Sequence, residues 1–299
     1  MIEVRNLTKD YGSHRAVDDA SFTAPPGVVT GFLGPNGAGK TTTLRILLGL
    51  ARASAGQALI DGVPYAELAS PRRTVGAVLD SMGFHPGRSG RDHLRIVARA
   101  AGISPRRVDE VLEFVALTAA AKRAVGGYSH GMRQRLALAS ALLGEPTVLV
   151  LDEPATGLDP AGMAWLRRLL GDWAAQGRTV LFSSHALREV ELAADRVVII
   201  DQGRIVHEAE AAELSGARRA VVVRTSDGAR LGEVAAALGW QVRQDGHDRL
   251  TIHGASADEV GLAAAREGIA LAELSLQPAS RQLEELFLEL TSAGKEARS

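Results

Sequence analysis

Residues 34 to 42 read Gly34-Pro35-Asn36-Gly37-Ala38-Gly39-Lys40-Thr41-Thr42. Gly34, Gly39, Lys40 and Thr41 occupy the fixed positions of the pattern G-x-x-x-x-G-K-[ST]. Glycines let backbone N–H groups come close to a polyanion, and the amides of residues 37 to 41 then converge on it. The segment that follows starts a helix, whose N-terminus favours anions. Lys40 adds a point charge for the β and γ phosphates of a nucleotide, and the Thr41 hydroxyl can ligate Mg²⁺. The preceding Gly27-Val28-Val29-Thr30-Gly31-Phe32-Leu33 is short, apolar and β-branched, as a buried parallel strand is. Strand, glycine loop and helix therefore follow in the order that a phosphate site requires.

The second half of such a site must come from neighbouring strands. Thr147-Val148-Leu149-Val150-Leu151 is an apolar strand running into Asp152-Glu153. At the carboxyl edge of a parallel sheet, where ligands of these folds bind, Asp152 can hold the water shell of Mg²⁺ and Glu153 can polarise an attacking water. Thr179-Val180-Leu181-Phe182 is the next buried strand and ends in Ser183-Ser184-His185, which aims His185 at the same edge for a γ-phosphate contact. Tyr11, an aromatic shortly upstream of the loop, can stack on a base. Ser129 and Gly131, in Tyr128-Ser129-His130-Gly131-Met132, form a small-residue turn opening another helix and so a second anion-binding device. One chain rarely needs two γ-phosphate cradles on distant segments; two chains facing each other do.

The rest of the chain sets bounds. A length of 299 residues suits about two domains, and the 46% apolar content is that of a globular protein. A formal net charge of −1 gives no sign of a general nucleic-acid or membrane-surface binder. The absence of cysteine excludes disulfides, thiolate zinc sites and a thiol nucleophile. No signal peptide is read at Met1-Ile2-Glu3-Val4-Arg5, and no apolar stretch reaches the ~20 residues that a spanning helix needs.

Strands are expected over residues 2 to 7 and 16 to 23, with a hairpin arm at 58 to 62 and a strand at 75 to 79. Residues 85 to 143 show helical periodicity and read as a separate lobe. From residue 217 the pattern changes to β-α-β-β-α-β, the split-βαβ or ferredoxin-like order, followed by a closing helix over 280 to 291. His247 and His253 are isolated and read as loop residues. No catalytic constellation is read in this second part, and dimer support or regulation is its expected role, which deleting residues 217 to 299 tests.

Together these motifs resemble the ATP-binding subunit of an ATP-binding-cassette (ABC) transporter, over residues 1 to about 215. In that family the glycine loop is the Walker A motif, and Val148 to Glu153 is Walker B with the catalytic glutamate. Tyr11 matches the adenine-stacking aromatic, Gly157-Leu158-Asp159-Pro160 the D-loop with Asp159 near nucleotide, and His185 the switch histidine. Residues 128 to 132 take the place of the signature Leu-Ser-Gly-Gly-Gln; Ser129 and Gly131 are retained, while Tyr128, His130 and Met132 depart from it. Asp80 stands where the family usually has a glutamine, so it can meet Mg²⁺ but, ionised, cannot donate a hydrogen bond. An acid at this place resembles a branch of bacterial drug and antibiotic exporters.

The resemblance implies an α/β P-loop NTPase cassette with a RecA-like core, an antiparallel β arm and a helical lobe, plus a small α+β ferredoxin-like C-terminal domain. It further implies Mg²⁺-dependent ATP hydrolysis and a homodimer that sandwiches two ATP molecules. The partner is a separate membrane-spanning permease, and the chain sits at the cytoplasmic face without inserting. Two rivals remain at this stage. One is a soluble cassette protein acting on ribosomes or nucleic acid, disfavoured by the single phosphate loop and the lack of a strong basic stretch. The other is a nucleotide-gated scaffold that does not hydrolyse usefully, disfavoured by the presence of both Glu153 and His185.

Overall fold

The computed structural model describes residues 1 to 79, 83 to 211, 220 to 246 and 248 to 276. The chain divides into two compact units, Met1–Glu208 and Ala209–Ser299.

The first unit opens with β1 (Ile2–Tyr11) and β2 (His14–Ala24), antiparallel across the two-residue Gly12-Ser13 turn. Both strands run longer than the sequence reading at their facing ends, because the turn signal at Tyr11-Gly12 marks the tip of one hairpin and not the gap between two short strands. Strand β4 (Ala55–Ile60) lies antiparallel on the other side of β1, pairing Ile2 with Ile60 and Val4 with Ala58. The resulting sheet β2-β1-β4 is half-covered, and Ile2, Val4, Ala58 and Ile60 turn inward. That alternation is expected of a sheet with one face in the core.

The central sheet has the order β5-β6-β7-β3-β8-β9. Its strands are β3 (Val29–Leu33), β5 (Val75–Val78), β6 (Val148–Leu151), β7 (Thr179–Ser184), β8 (Arg196–Asp201) and β9 (Arg204–Glu210). Every residue of β3, β6 and β7 is buried, which explains why these segments read as unbroken apolar runs. β3 is parallel to both β7 and β8, and β6 is parallel to β5 and β7. Register then fixes which chain ends meet. Leu33 is level with Ser184 and Leu151 with Phe182, so the segments after β3, β6 and β7 leave the sheet at one edge.

Helix α1 (Lys40–Leu47) follows the glycine loop and packs Leu44 and Leu47 into the same core as the β1–β2 arm. A short α2 (Pro71–Thr74) precedes β5. The segment read as one helical lobe contains α3 (Gly90–Ala100), α4 (Arg106–Phe114) and α5 (His130–Leu142). Ser89 caps α3 by accepting from Asp92 N, and Ser129 caps α5 by accepting from Met132 N at 3.2 Å. Val108, Val111, Leu112 and Leu94 are buried between them. Helix α6 (Pro160–Ala175) has Asp159 as its N-cap, accepting from Gly162 N at 2.7 Å, with Pro160 in the first turn. Helix α7 is Leu187–Ala193.

The second unit holds β10 (Val221–Arg224), α8 (Gly228–Ala237), β11 (Gln241–Gln244), β12 (Arg249–His253), α9 (Ala257–Arg266) and β13 (Glu273–Leu276). The sheet order is β11-β12-β10-β13, all antiparallel. A capping box at Ser256 and Glu259 starts α9. Val221, Val223, Leu250 and Ile252 form a core with Leu231, Ala235, Val260 and Ala264 of the two helices. The chain order is that of a split βαβ. The expected closing helix over 280 to 291, and His247, lie outside the described residues.

Candidate functional site

At the common edge of the central sheet is a cleft of about 450 Å³ whose lining includes Tyr11, Asn36 to Thr42, Asp152, Glu153 and His185. The loop between β3 and α1 is anchored at both ends: Gly34 N donates to Ser184 O at 3.3 Å, and Ala38 O accepts from Gly203 N at 2.9 Å. Two glycines are dictated by space. A Cβ on Gly34 would lie 2.3 Å from Ile200 O, and one on Gly39, where φ is +107°, would lie 2.5 Å from Ala16 O. Gly39 is the N-cap of α1 and supplies no side-chain acceptor. The first-turn amides of Lys40, Thr41 and Thr42 have no intrahelical partners, all three residues line the cleft, and the helix has no acidic residue in its first turn to oppose an anion there.

Gly34 and Pro35 do not line the cleft; they act through their carbonyls. Lys40 Nζ donates to Gly34 O at 2.6 Å and to Pro35 O at 3.2 Å, and lies 3.6 Å from Glu153 Oε1. The lysine is only 5% exposed. Burial pushes its pKa down from the usual value, and the nearby carboxylates of Glu153 and Asp152 push it back up.

The acids and the histidine form one connected network. Thr41 Oγ1 donates to Asp152 Oδ2 at 2.8 Å, and His185 Nδ1 lies 2.8 Å from Glu153 Oε2. Ser183, which the sequence reading did not place in the site, donates through Oγ to Asp152 Oδ1 and accepts from Glu153 N at 3.0 Å. Both acids are thereby fixed from the neighbouring strand. Glu153 adopts φ +49°, a left-handed conformation unusual for a residue with a side chain. Strain of this kind is found where surrounding contacts over-determine a functional position; here the bond from Glu153 N to Ser183 is one such contact.

The donor set at Thr41 and Asp152 suits a hard cation. The hydroxyl of Thr41 and the carboxylate of Asp152, 2.8 Å apart, are oxygen donors of the kind that would hold such an ion. Among the described residues no group of three or more His, Asp, Glu or Cys forms a full protein cage. Asp80, the third expected metal residue, lies outside the described residues.

The β1–β2 hairpin supplies the remaining wall. Tyr11 is 49% exposed and carries Lys9 Nζ 4.8 Å from its ring centroid. His14 and Ala16 also line the cleft. His14 is the cross-strand partner of Tyr11, so its signal was the hairpin register, which a second strand placed only from residue 16 concealed. Thr156 is a further lining residue that the sequence reading missed. If Tyr11 stacks on the base, Tyr11→Ala raises KM for ATP by about 5- to 150-fold while kcat changes little. Steady-state kinetics check this, and an unchanged KM removes the residue from base binding.

Ser129, Gly131 and Asp159 do not line the cleft. They gather elsewhere: the turn at Gly157 packs on the start of α5, where a Cβ on Gly131 would stand 3.3 Å from Gly157 O. The Ser129 hydroxyl is engaged in capping α5, and Asp159 in capping α6.

Comparison with known proteins identifies the family. A family model described as ABC transporter matches residues 17–156, and one described as a domain of unknown function (DUF8746) matches residues 219–284. The bacitracin transport ATP-binding protein BcrA of Bacillus licheniformis is 42% identical over 70% of this chain and 69% of its own. Its namesake in Enterococcus faecalis is 34% identical over 98% of this chain and 97% of its own. Among solved structures, one titled as an ATP-binding subunit of an ABC transporter has a TM-score of 0.65 at 26% identity, covering 89% of this chain and 99% of that one.

Proposed function

Because the chain belongs to the ABC transporter family and is an ABC-type ATPase, we propose that it powers a separate membrane-spanning exporter, of drugs, antibiotics or other apolar compounds. The convergence of Lys40, Thr41, Asp152, Glu153 and His185 within one cleft is the observation that carries the reading. The full-length likeness to a bacitracin transport protein supports the class of cargo.

In this reading the loop amides and Lys40 bind the β and γ phosphates, and Tyr11 stacks on adenine. Thr41 and Asp152 hold Mg²⁺, which when bound neutralises charge on the phosphates. Glu153 orients the attacking water and accepts its proton. His185, already hydrogen-bonded to Glu153, reports the state of the γ-phosphate. Lys40, held by the Gly34 and Pro35 carbonyls and 3.6 Å from Glu153, is placed for the phosphate oxygens.

Ser129, Gly131 and Asp159 stand apart from the cleft of their own chain. They are assigned to the nucleotide of a second copy, in a homodimer with two ATP at the interface. ATP then holds the copies together and hydrolysis releases them. The chain docks on the cytoplasmic face through its permease; no helix among the described residues is long and apolar enough to cross a membrane. No nucleic-acid partner is required.

The test is co-purification with the product of an adjoining gene carrying about six apolar spans, followed by ATPase assays across a compound panel. Stimulation of several-fold by a subset of compounds is expected. Failure of any membrane protein to associate, together with ATPase stimulation by ribosomes, overturns the reading in favour of a soluble cassette protein.

A further inference from the structure

The chain-wide charge of −1 hides a local asymmetry. Residues 83 to 143 carry ten Lys or Arg against four Asp or Glu. Part of this charge gathers where α3 ends and α4 begins. Arg95 and Arg99 lie one turn apart on α3, Arg106 and Arg107 open α4, and Arg73 from α2 reaches across to donate to Gly102 O at 2.8 Å.

Two adjoining hollows meet at Ile103. One, of about 480 Å³, is bounded by Ala98, Gly102, Ile103 and Pro105 together with Arg95 and Arg99. The other, of about 340 Å³, includes Arg73, Ser104, Arg106 and Arg107 in its lining, with Glu110 and Glu145 as the acids. Both acids are taken by one guanidinium: Arg107 Nη1 lies 2.9 Å from Glu110 and 3.4 Å from Glu145. Among the described residues Arg73, Arg99 and Arg106 have no carboxylate partner, and the buried Arg107 Nε has no hydrogen-bond acceptor. Ile96, on the same turn of α3 as Arg95 and Arg99, is 50% exposed.

We propose that this α3–α4 tip is a membrane-surface site that holds anionic phospholipid headgroups. Unpaired guanidinium forks match phosphodiester oxygens. Their aliphatic stems, with Ile96, Ile103 and Pro105, offer apolar surface to the glycerol and upper acyl region, as interfacial sites do. A nucleic acid fits less well, because neither hollow is lined by an aromatic ring on which a base would stack. The lipid occupant is consistent with the proposed place of the chain beside a permease, but the binding test below needs neither permease nor ATP.

The full chain is co-sedimented with vesicles of phosphatidylcholine alone and with vesicles containing about 30% phosphatidylglycerol. Wild type is expected to bind the anionic vesicles about a hundredfold more strongly, and to release them in about 0.5 M salt. The Arg99→Glu, Arg106→Glu protein loses more than about thirtyfold in partition, since each arginine near an anionic surface contributes roughly a fivefold factor and each glutamate adds repulsion. Arg230→Glu, Arg266→Glu, the same charge change in the second unit, stays close to wild type, and the basal ATPase rate of both variants is unchanged. If the glutamate variant melts early, Arg99→Gln, Arg106→Gln takes its place, with a loss of about thirtyfold. Equal binding to both vesicle types, an equal loss in the control, release by millimolar inorganic phosphate, or tighter binding to single-stranded RNA than to anionic vesicles each overturns the proposal. Failure of the exporter reading shows separately, as absent stimulation by the membrane subunit.

Discussion

The Glu153→Gln protein is expected to bind ATP with near wild-type affinity, to hydrolyse it about 10²- to 10⁴-fold more slowly, and to accumulate as an ATP-bound dimer. The side chain is close to isosteric, so the backbone geometry at φ +49° and the bond from Glu153 N to Ser183 persist. What changes is the proton acceptor. A carboxylate can take a proton from water at the moment of attack, whereas an amide cannot. The substitution also removes the negative charge 3.6 Å from Lys40 Nζ, and with it a repulsion toward the phosphates. Affinity therefore holds or improves while turnover collapses. Single-turnover hydrolysis and size-exclusion chromatography with ATP read the two effects separately. Turnover near the wild-type rate removes Glu153 from its proposed role.

Lys40→Ala is expected to lower both ATP affinity and turnover, the latter by about 10²- to 10³-fold, the loss typical of removing one preorganised donor from a reaction site. The ammonium group is nearly buried and held by the Gly34 and Pro35 carbonyls. Burial disfavours its charge, so the site retains a cation at a desolvation cost that an approaching polyanion offsets. Lys40→Met separates charge from packing, because it keeps the apolar stem. If Met restores activity, the stem and not the cation matters; if both variants fail equally with melting temperatures near wild type, the charge is what the phosphates require. Full-speed hydrolysis by Lys40→Ala ends the phosphate-binding reading of the loop.

These expectations share a source. Residues 34 to 42 are contiguous, and their chemistry follows from local geometry: Gly39 occupies a left-handed conformation, Gly34 a place without room for a side chain, and a helix starts at Lys40. Asp152, Glu153 and His185 were legible for a related reason. Fully buried parallel strands read as apolar runs, and the polar residues that end them share one sheet edge whatever the details of packing.

What the local pattern could not supply was contact between distant segments. Ser183 fixes both acids because β7 is registered beside β6, and His14 joins the cleft because the hairpin pairs it with Tyr11. The helical period of residues 85 to 143 was legible, yet the gathering of Arg73, Arg99 and Arg106 at one tip depends on how α2, α3 and α4 cross. Amino-acid order by itself determined the phosphate loop, the acidic strand ends and the change of pattern near residue 217, because each is set by backbone sterics or periodicity within a few residues. Only the tertiary structure decided which side chains complete the site and where the charge collects, since register and helix packing bring together groups that no short-range preference links.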